Sequence, residues 1–285
     1  MAQLFGVYTY TLSLTPQEKD DGTIVVLHKD TVLGPTPELE EEEKSYSFIP
    51  IVIAILIGTA ILFALIKYNL GFLWKYWFLL AVVITMTLSF EIYLGGIVAL
   101  IVALLLGILK VFRHSVIIHN ITEIFIYTGI VIVIAPMLNL FSAMLLLVVI
   151  SIYDIIAVWK SKHMVKLAKF QTKTKLFAGL YIPYKKGKIS EITTEGEGER
   201  NAILGGGDIA FPLLFTAAVI EWLIRAGRDK FLAMNLTLIV VATTTIALTL
   251  LLLKGKKNKF YPAMPFITFG SFTGFAIIYL FLISL

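Results

Sequence analysis

The sequence predicts an all-α polytopic membrane protein, a helical bundle of about eight transmembrane helices, and three observations carry that prediction. Of its 285 residues, 58% are hydrophobic and 15% charged, with a mean hydropathy of +0.89; an ordinary soluble domain is about 45–50% apolar and about 25% charged. Several apolar runs exceed the roughly 18 residues that mark a bilayer span. The 24 Lys and Arg fall between those runs. A water-soluble single core is excluded, because such a chain has too little polar surface to cover what it must bury. The net charge of +5 does not point to nucleic acid, since the basic residues form no stripe; they read as topology signals. Without cysteine there is no disulfide framework, thiolate nucleophile or Cys-ligated metal site.

Apolar runs bounded by charges or turn residues give spans at approximately 48–66, 72–90, 92–111, 115–136, 141–159, 202–224, 231–253 and 261–284. Each can cross roughly 30 Å of hydrocarbon at about 1.5 Å per residue. The turn Glu91-Ile-Tyr-Leu-Gly-Gly96 is short, so the second and third spans form a tight antiparallel hairpin. Residues 2–14 are a mixed run too short to cross.

Orientation follows from the basic residues. Alternate connections after the first span (67–75, 110–114, 160–200 and 254–259) hold 18 of them, and the other side holds 6. Residues 161–201 are therefore a cytoplasmic linker between an N-terminal half, 48–160, and a C-terminal half, 202–285. Its Lys162, Lys166, Lys169 and Lys173 read as a solvated face near anionic lipid. The segment 1–47, with nine acids against three bases before Ser45, is placed outside with the C-terminus. An outer tail with no preceding span is unusual, and a further span ahead of it is an expectation. The host membrane is the plasma membrane in a prokaryote and an endomembrane in a eukaryote.

Acids within spans are costly, by a few kcal/mol or more, and ask for a function first. Asp154 lies about six residues before Lys160, and Asp208 about seven after the start of the next span, so both lie about 9 to 11 Å from one face on adjacent antiparallel helices. Two carboxylates facing one another in a poorly solvated space cannot both ionise cheaply, so the pair should hold one proton between them. Aspartic proteases work this way: the ionised carboxylate takes a proton from water and the protonated one polarises the scissile carbonyl. Gly205, Gly206 and Gly207 weaken the helix ahead of Asp208, where another backbone or an extended peptide must approach; routine small-residue packing is the blander reading. Glu221 pairs with Arg225 at i,i+4 spacing. Glu123 and His119 are read as a buried hydrogen-bonded pair, or as groups that tune the aspartates. His28, His114 and His163 lie in tail or loop positions, and no metal site or cofactor is expected.

Pro262 and Pro265 open the last span at nearly the depth of the aspartates. They withhold N–H groups and prevent an ordinary first turn, leaving backbone carbonyls free at a depth where that is tolerated only beside protein or water.

Tyr153-Asp154 in one span, Gly205-x-Gly207-Asp208 in the next and Pro262-Ala263-Met264 in the last together resemble the presenilin and signal peptide peptidase class of GxGD intramembrane aspartyl proteases. The stretch from Tyr153 to Val165 is similar to the presenilin branch, particularly its archaeal homologues. The resemblance implies that Asp154 and Asp208 are the catalytic pair, that Tyr153 flanks the first, that Gly205 and Gly207 give close backbone approach, and that Pro262, Ala263 and Met264 shape the site. It also implies nine spans, of which eight are read here. Met264 replaces the family's usual leucine, a near-isovolumic change. The charge-derived orientation matches presenilins, whose substrates by that analogy are membrane-spanning helices with an external N-terminus. Self-association is left open.

The competing reading is a proton- or ion-coupled transporter or channel, because paired acids and broken helices also build relays. No repeat relates the two halves. A prepilin-type peptidase shares G-x-G-D but neither Tyr-Asp nor the Pro-Ala motif. H-E-x-x-H is absent, which argues against a zinc protease.

Overall fold

The computed structural model describes residues 1–37, 39–68, 70–113, 115–160, 177–183, 201–254 and 261–284, with backbone only for 182–183, 201–203 and 254. Most of the 161–201 linker, with His114, His163 and the basic run before Tyr261, lies outside the described residues.

In chain order the elements are α1 (Ala2–Ser13), β1 (Leu14–Glu18), β2 (Ile24–His28), α2 (Glu41–Tyr46), α3 (Phe48–Lys67), α4 (Gly71–Leu94), α5 (Gly96–Phe112) and α6 (Val116–Ile134). Then follow α7 (Leu140–Ile155), extended by wider π-helical turns to Lys160, β3 (Gly179–Pro183), β4 (Asn201–Gly205), α8 (Gly207–Arg225), α9 (Lys230–Lys254) and α10 (Met264–Ile283). Among the described residues, seven helices are long and apolar enough to cross a bilayer; α5, at 17 residues, is a shorter apolar helix. The α4–α5 hairpin turns on Gly95 alone, at φ 74°, a conformation that favours glycine.

Two sequence expectations change. The mixed run at 2–14 is a helix over Ala2–Ser13 with Leu14 opening β1; its Thr9, Tyr10 and Thr11 are fully buried, packed on α6, α8 and α9. The span expected from residue 202 begins at Gly207, because Asn201–Gly205 pairs antiparallel with Gly179–Pro183 as a hairpin.

Burial grades the bundle. In α8, 78% of the apolar window is enclosed, against 11% in α3, so α8 is the central rod and α3 faces outward. Outward Ile, Leu and Phe residues such as Ile57, Leu105 and Phe269 suit lipid, where apolar exposure costs nothing.

With no hydrophobic drive between helices in lipid, contact depends on close backbone approach. Gly270 and Gly274 of α10 supply it: a Cβ on Gly274 would sit 2.6 Å from Val240 Cα of α9, and one on Gly270 2.9 Å from Thr243 O. Ser271 and Thr244 hydroxyls meet across the seam at 3.2 Å. Gly274→Val should therefore destabilise by about 1–3 kcal/mol through forced separation. Thermal unfolding in detergent checks this, with Leu252→Ala on the exposed side of α9 expected to change little.

Candidate active site

Asp154 is placed by the register of α7. Asn139 caps that helix, accepting from Ser142 N at 2.8 Å while Ser142 Oγ accepts from Asn139 N at 3.0 Å. From there the buried face steps through Ser142, Leu146, Ile150 and Asp154, four residues at a time. Asp154 is 5% exposed and lies in the last turn of the regular helix.

Asp208 occupies the first turn of α8, directly after the strand-to-helix turn. Gly205 and Gly206 precede the helix and Gly207 opens it. The triple glycine is thus a corner, not a weakened helix interior. A Cβ on Gly205 would stand 3.2 Å from Asp208 Oδ2, and one on Gly206 3.1 Å from the Tyr127 ring and 3.2 Å from Ala178 O. The corner is secured by Gly206 N donating to Ala178 O at 3.0 Å and Ala210 N donating to Gly206 O at 2.9 Å. Pro212 has no N–H, so the Asp208 carbonyl lacks its usual i+4 donor.

The two carboxylates lie within electrostatic range of one another. The third motif completes the site. Tyr261–Ala263 is irregular and α10 starts at Met264, whose N–H donates to Asp154 Oδ2 at 3.1 Å, with the Ala263 N–H beside it. Prolines at 262 and 265 cannot donate, so the donors available at this helix start are those aimed at Asp154. The sequence reading placed the consequence on free carbonyls; the structure places it on N–H groups. One turn deeper, Ser151 Oγ and Thr268 Oγ1 meet at 2.7 Å, a second rung between α7 and α10. Pro262 and Met264 are buried, while Tyr153 and Ala263 are half-buried.

Glu123 and His119 are both buried but share no hydrogen bond, His119 Nε2 standing 3.9 Å from Glu123 Oε1; each instead meets Lys110, a residue that reads from sequence as part of a loop, which is 4% exposed and lies 2.7 Å from Glu123 Oε1. Its signal was present, since Ala99, Ala103, Gly107 and Lys110 share the buried face of α5.

The chain matches the family described as signal-peptide peptidase, presenilin aspartyl protease over residues 38–283. It belongs to that family. It is accordingly an integral, multi-pass membrane protein of an intramembrane aspartyl protease family. Among solved structures it is similar to one described as "Structure of a presenilin family intramembrane aspartate protease in C222 space group", at TM-score 0.55 and 15% identity, covering 97% of this chain and 92% of that one; at that identity the likeness is one of fold. No curated protein matches the chain.

At the far ends of α7 and α8, remote from the aspartates, Glu221 meets more than the expected Arg225. His28 Nε2 stands 3.0 Å from Glu221 Oε1, the Tyr10 hydroxyl donates to the same oxygen, and Arg225 bridges Glu221 and Glu41. The cluster ties α1, β2 and α2 to the central helix, beside a cavity of about 360 Å³ walled by Phe141, Met144 and Trp222. Burial raises the Glu41 carboxyl, but Arg225, followed by Lys44, outweighs it and holds the group below its ordinary value of 4.5. A carboxyl depressed in the folded state contributes stability above its unfolded value and loses it as pH falls through the folded one. Glu41→Gln should therefore lower Tm at pH 7 and close the gap to wild type near pH 3; a gap that does not change with pH contradicts the pairing.

Proposed function

We propose that this protein hydrolyses peptide bonds of transmembrane helical substrates, with water activated between Asp154 and Asp208. What supports the reading is that the two carboxylates lie within electrostatic range of one another, one held by backbone N–H groups of the Pro262-Ala263-Met264 segment and the other set at the corner after β4. In this mechanism the ionised acid takes a proton from water, the attacking oxygen adds to the scissile carbonyl, and the protonated acid polarises that carbonyl and later protonates the leaving nitrogen. The Met264 and Ala263 donors orient Asp154 throughout.

A helical peptide bond is shielded by its own hydrogen bonds, so the substrate must unwind where it is cut. The hairpin offers its backbone to such a segment: β4 leads into Asp208, and no third strand lies against it among the described residues. An extended peptide added there satisfies its own N–H and C=O groups at membrane depth. A proton- or ion-coupled transporter has no use for a strand edge beside its acids, which favours the protease. Within this proposal, Tyr153 flanks the site, Gly205, Gly206 and Gly207 admit the substrate backbone, the linker 161–201 is cytoplasmic between halves 48–160 and 202–285, and the C-terminus is outside.

Purified protein in liposomes should cleave a single-span helical substrate. Asp154→Ala and Asp208→Ala should each lower cleavage by at least the order of 10³-fold, and the wild-type pH profile should be bell-shaped, reporting the pair. Cleavage that survives loss of either acid overturns the mechanism.

A further inference from the structure

Several polar side chains with no part in the proposed chemistry are buried together beside the turn that carries Asp208. The Lys110 ammonium of α5 lies 2.7 Å from Glu123 Oε1, 3.1 Å from Thr122 Oγ1 and 3.2 Å from His119 Nδ1, all on α6. The Lys110 and Glu123 side chains are each 1% exposed.

These partners settle the state of His119. Its Nε2 stands 2.8 Å from the Gly179 carbonyl oxygen, which can only accept, so Nε2 carries the proton. Nδ1 faces an ammonium that can only donate, so Nδ1 is bare and the imidazole neutral. A second proton would set N–H against N–H and charge against charge. Lys110 thus selects the tautomer that aims a donor at β3, and Glu123 balances the Lys110 charge.

Asn120 grips the same strand, donating through Nδ2 to Tyr181 O at 2.8 Å and accepting at Oδ1 from Tyr181 N at 2.9 Å. Gly179 and Tyr181 are alternate residues, so α6 side chains occupy the outer edge of β3 as a neighbouring strand would. β3 then holds β4, with Gly179 opposite Gly205, and Ala178 O takes the Gly206 N–H. Tyr127, one turn beyond Glu123, also packs on Gly206, its buried hydroxyl within the field of Asp208.

We propose that Lys110, His119, Asn120 and Glu123 are positioning residues for Asp208: the buried ion pair fixes His119 as a neutral donor, His119 and Asn120 hold β3, and β3 holds the corner from which Asp208 projects. The inference rests on Asp154 and Asp208 being the reacting pair. Stability alone does not require the cluster, because exchanging a buried ion pair for apolar residues of similar volume is often neutral or stabilising. Placement does require it, since a displacement of about 1 Å at reacting groups can cost on the order of 10²-fold in rate.

The full chain in liposomes provides the test, with a single-span substrate and thermal unfolding measured alongside. The double variant Lys110→Met/Glu123→Leu should keep a wild-type or higher Tm while kcat falls roughly 10- to 100-fold and KM stays within about twofold. His119→Leu should lose kcat similarly, and His119→Gln, which retains a donor for the Gly179 carbonyl, should recover most of it. Wild-type kcat in a folded double variant overturns the proposal, as does a His119→Gln no better than His119→Leu. Collapse of the double variant also overturns it, because the pair would then be a requirement of folding. Asp154→Ala run in parallel separates the two levels: cleavage persisting there removes the reading of the reacting pair, whereas cleavage lost there but intact in the cluster variants removes only the positioning role.

Discussion

Two carboxyl groups enclosed between transmembrane helices are the constraint around which this molecule is arranged. An ionised acid in that environment costs a few kcal/mol or more unless donors or a partner compensate it. Asp154 receives its compensation from the N–H groups at the start of α10, and those groups are available because α10 begins there behind a proline. Asp208 sits where a strand turns into the most enclosed helix of the bundle. The close seam between α9 and α10 and the Ser151–Thr268 contact matter for the same reason: they hold the donor-bearing helix start against the first acid.

The bilayer imposes a second condition. Backbone that is not helical must be satisfied by protein or water at membrane depth. The β3–β4 hairpin meets it on one edge through His119 and Asn120, so α6 does for this strand what a sheet would do in water. The two conditions meet in one short stretch of chain, because the residues that satisfy the strand also set the corner before Asp208. In this member of an intramembrane aspartyl protease family, two acids are thus supported largely through backbone.

Much of this was legible in the sequence where local periodicity decides the outcome. Asp154 falls on the buried face of α7 because it stands at four-residue steps from the cap, and Pro262-Ala263-Met264 marks a helix start whichever way its groups point. Long-range partnerships were not legible. Residues 2–14 read only as a mixed run too short to cross, while the structure sets Tyr10 against Glu221, and the strand at 201–205 reads as the start of a span because its partner at 179–183 lies within a linker-like stretch. Lys110 was misread for a different reason: a lysine near the end of an apolar run usually marks the interface, and here it points inward along a row of small residues.

In the proposed mechanism Asp154 and Asp208 hold one proton between them. Infrared difference spectroscopy of protein in lipid at neutral pH tests it most directly, comparing wild type with Asp154→Asn and with Asp208→Asn in the protonated-carboxyl region. One carboxylic acid band is expected for the pair in wild type, altered by either substitution because the proton belongs to both. No such band, or a band that depends on one aspartate and is indifferent to the other, would contradict it.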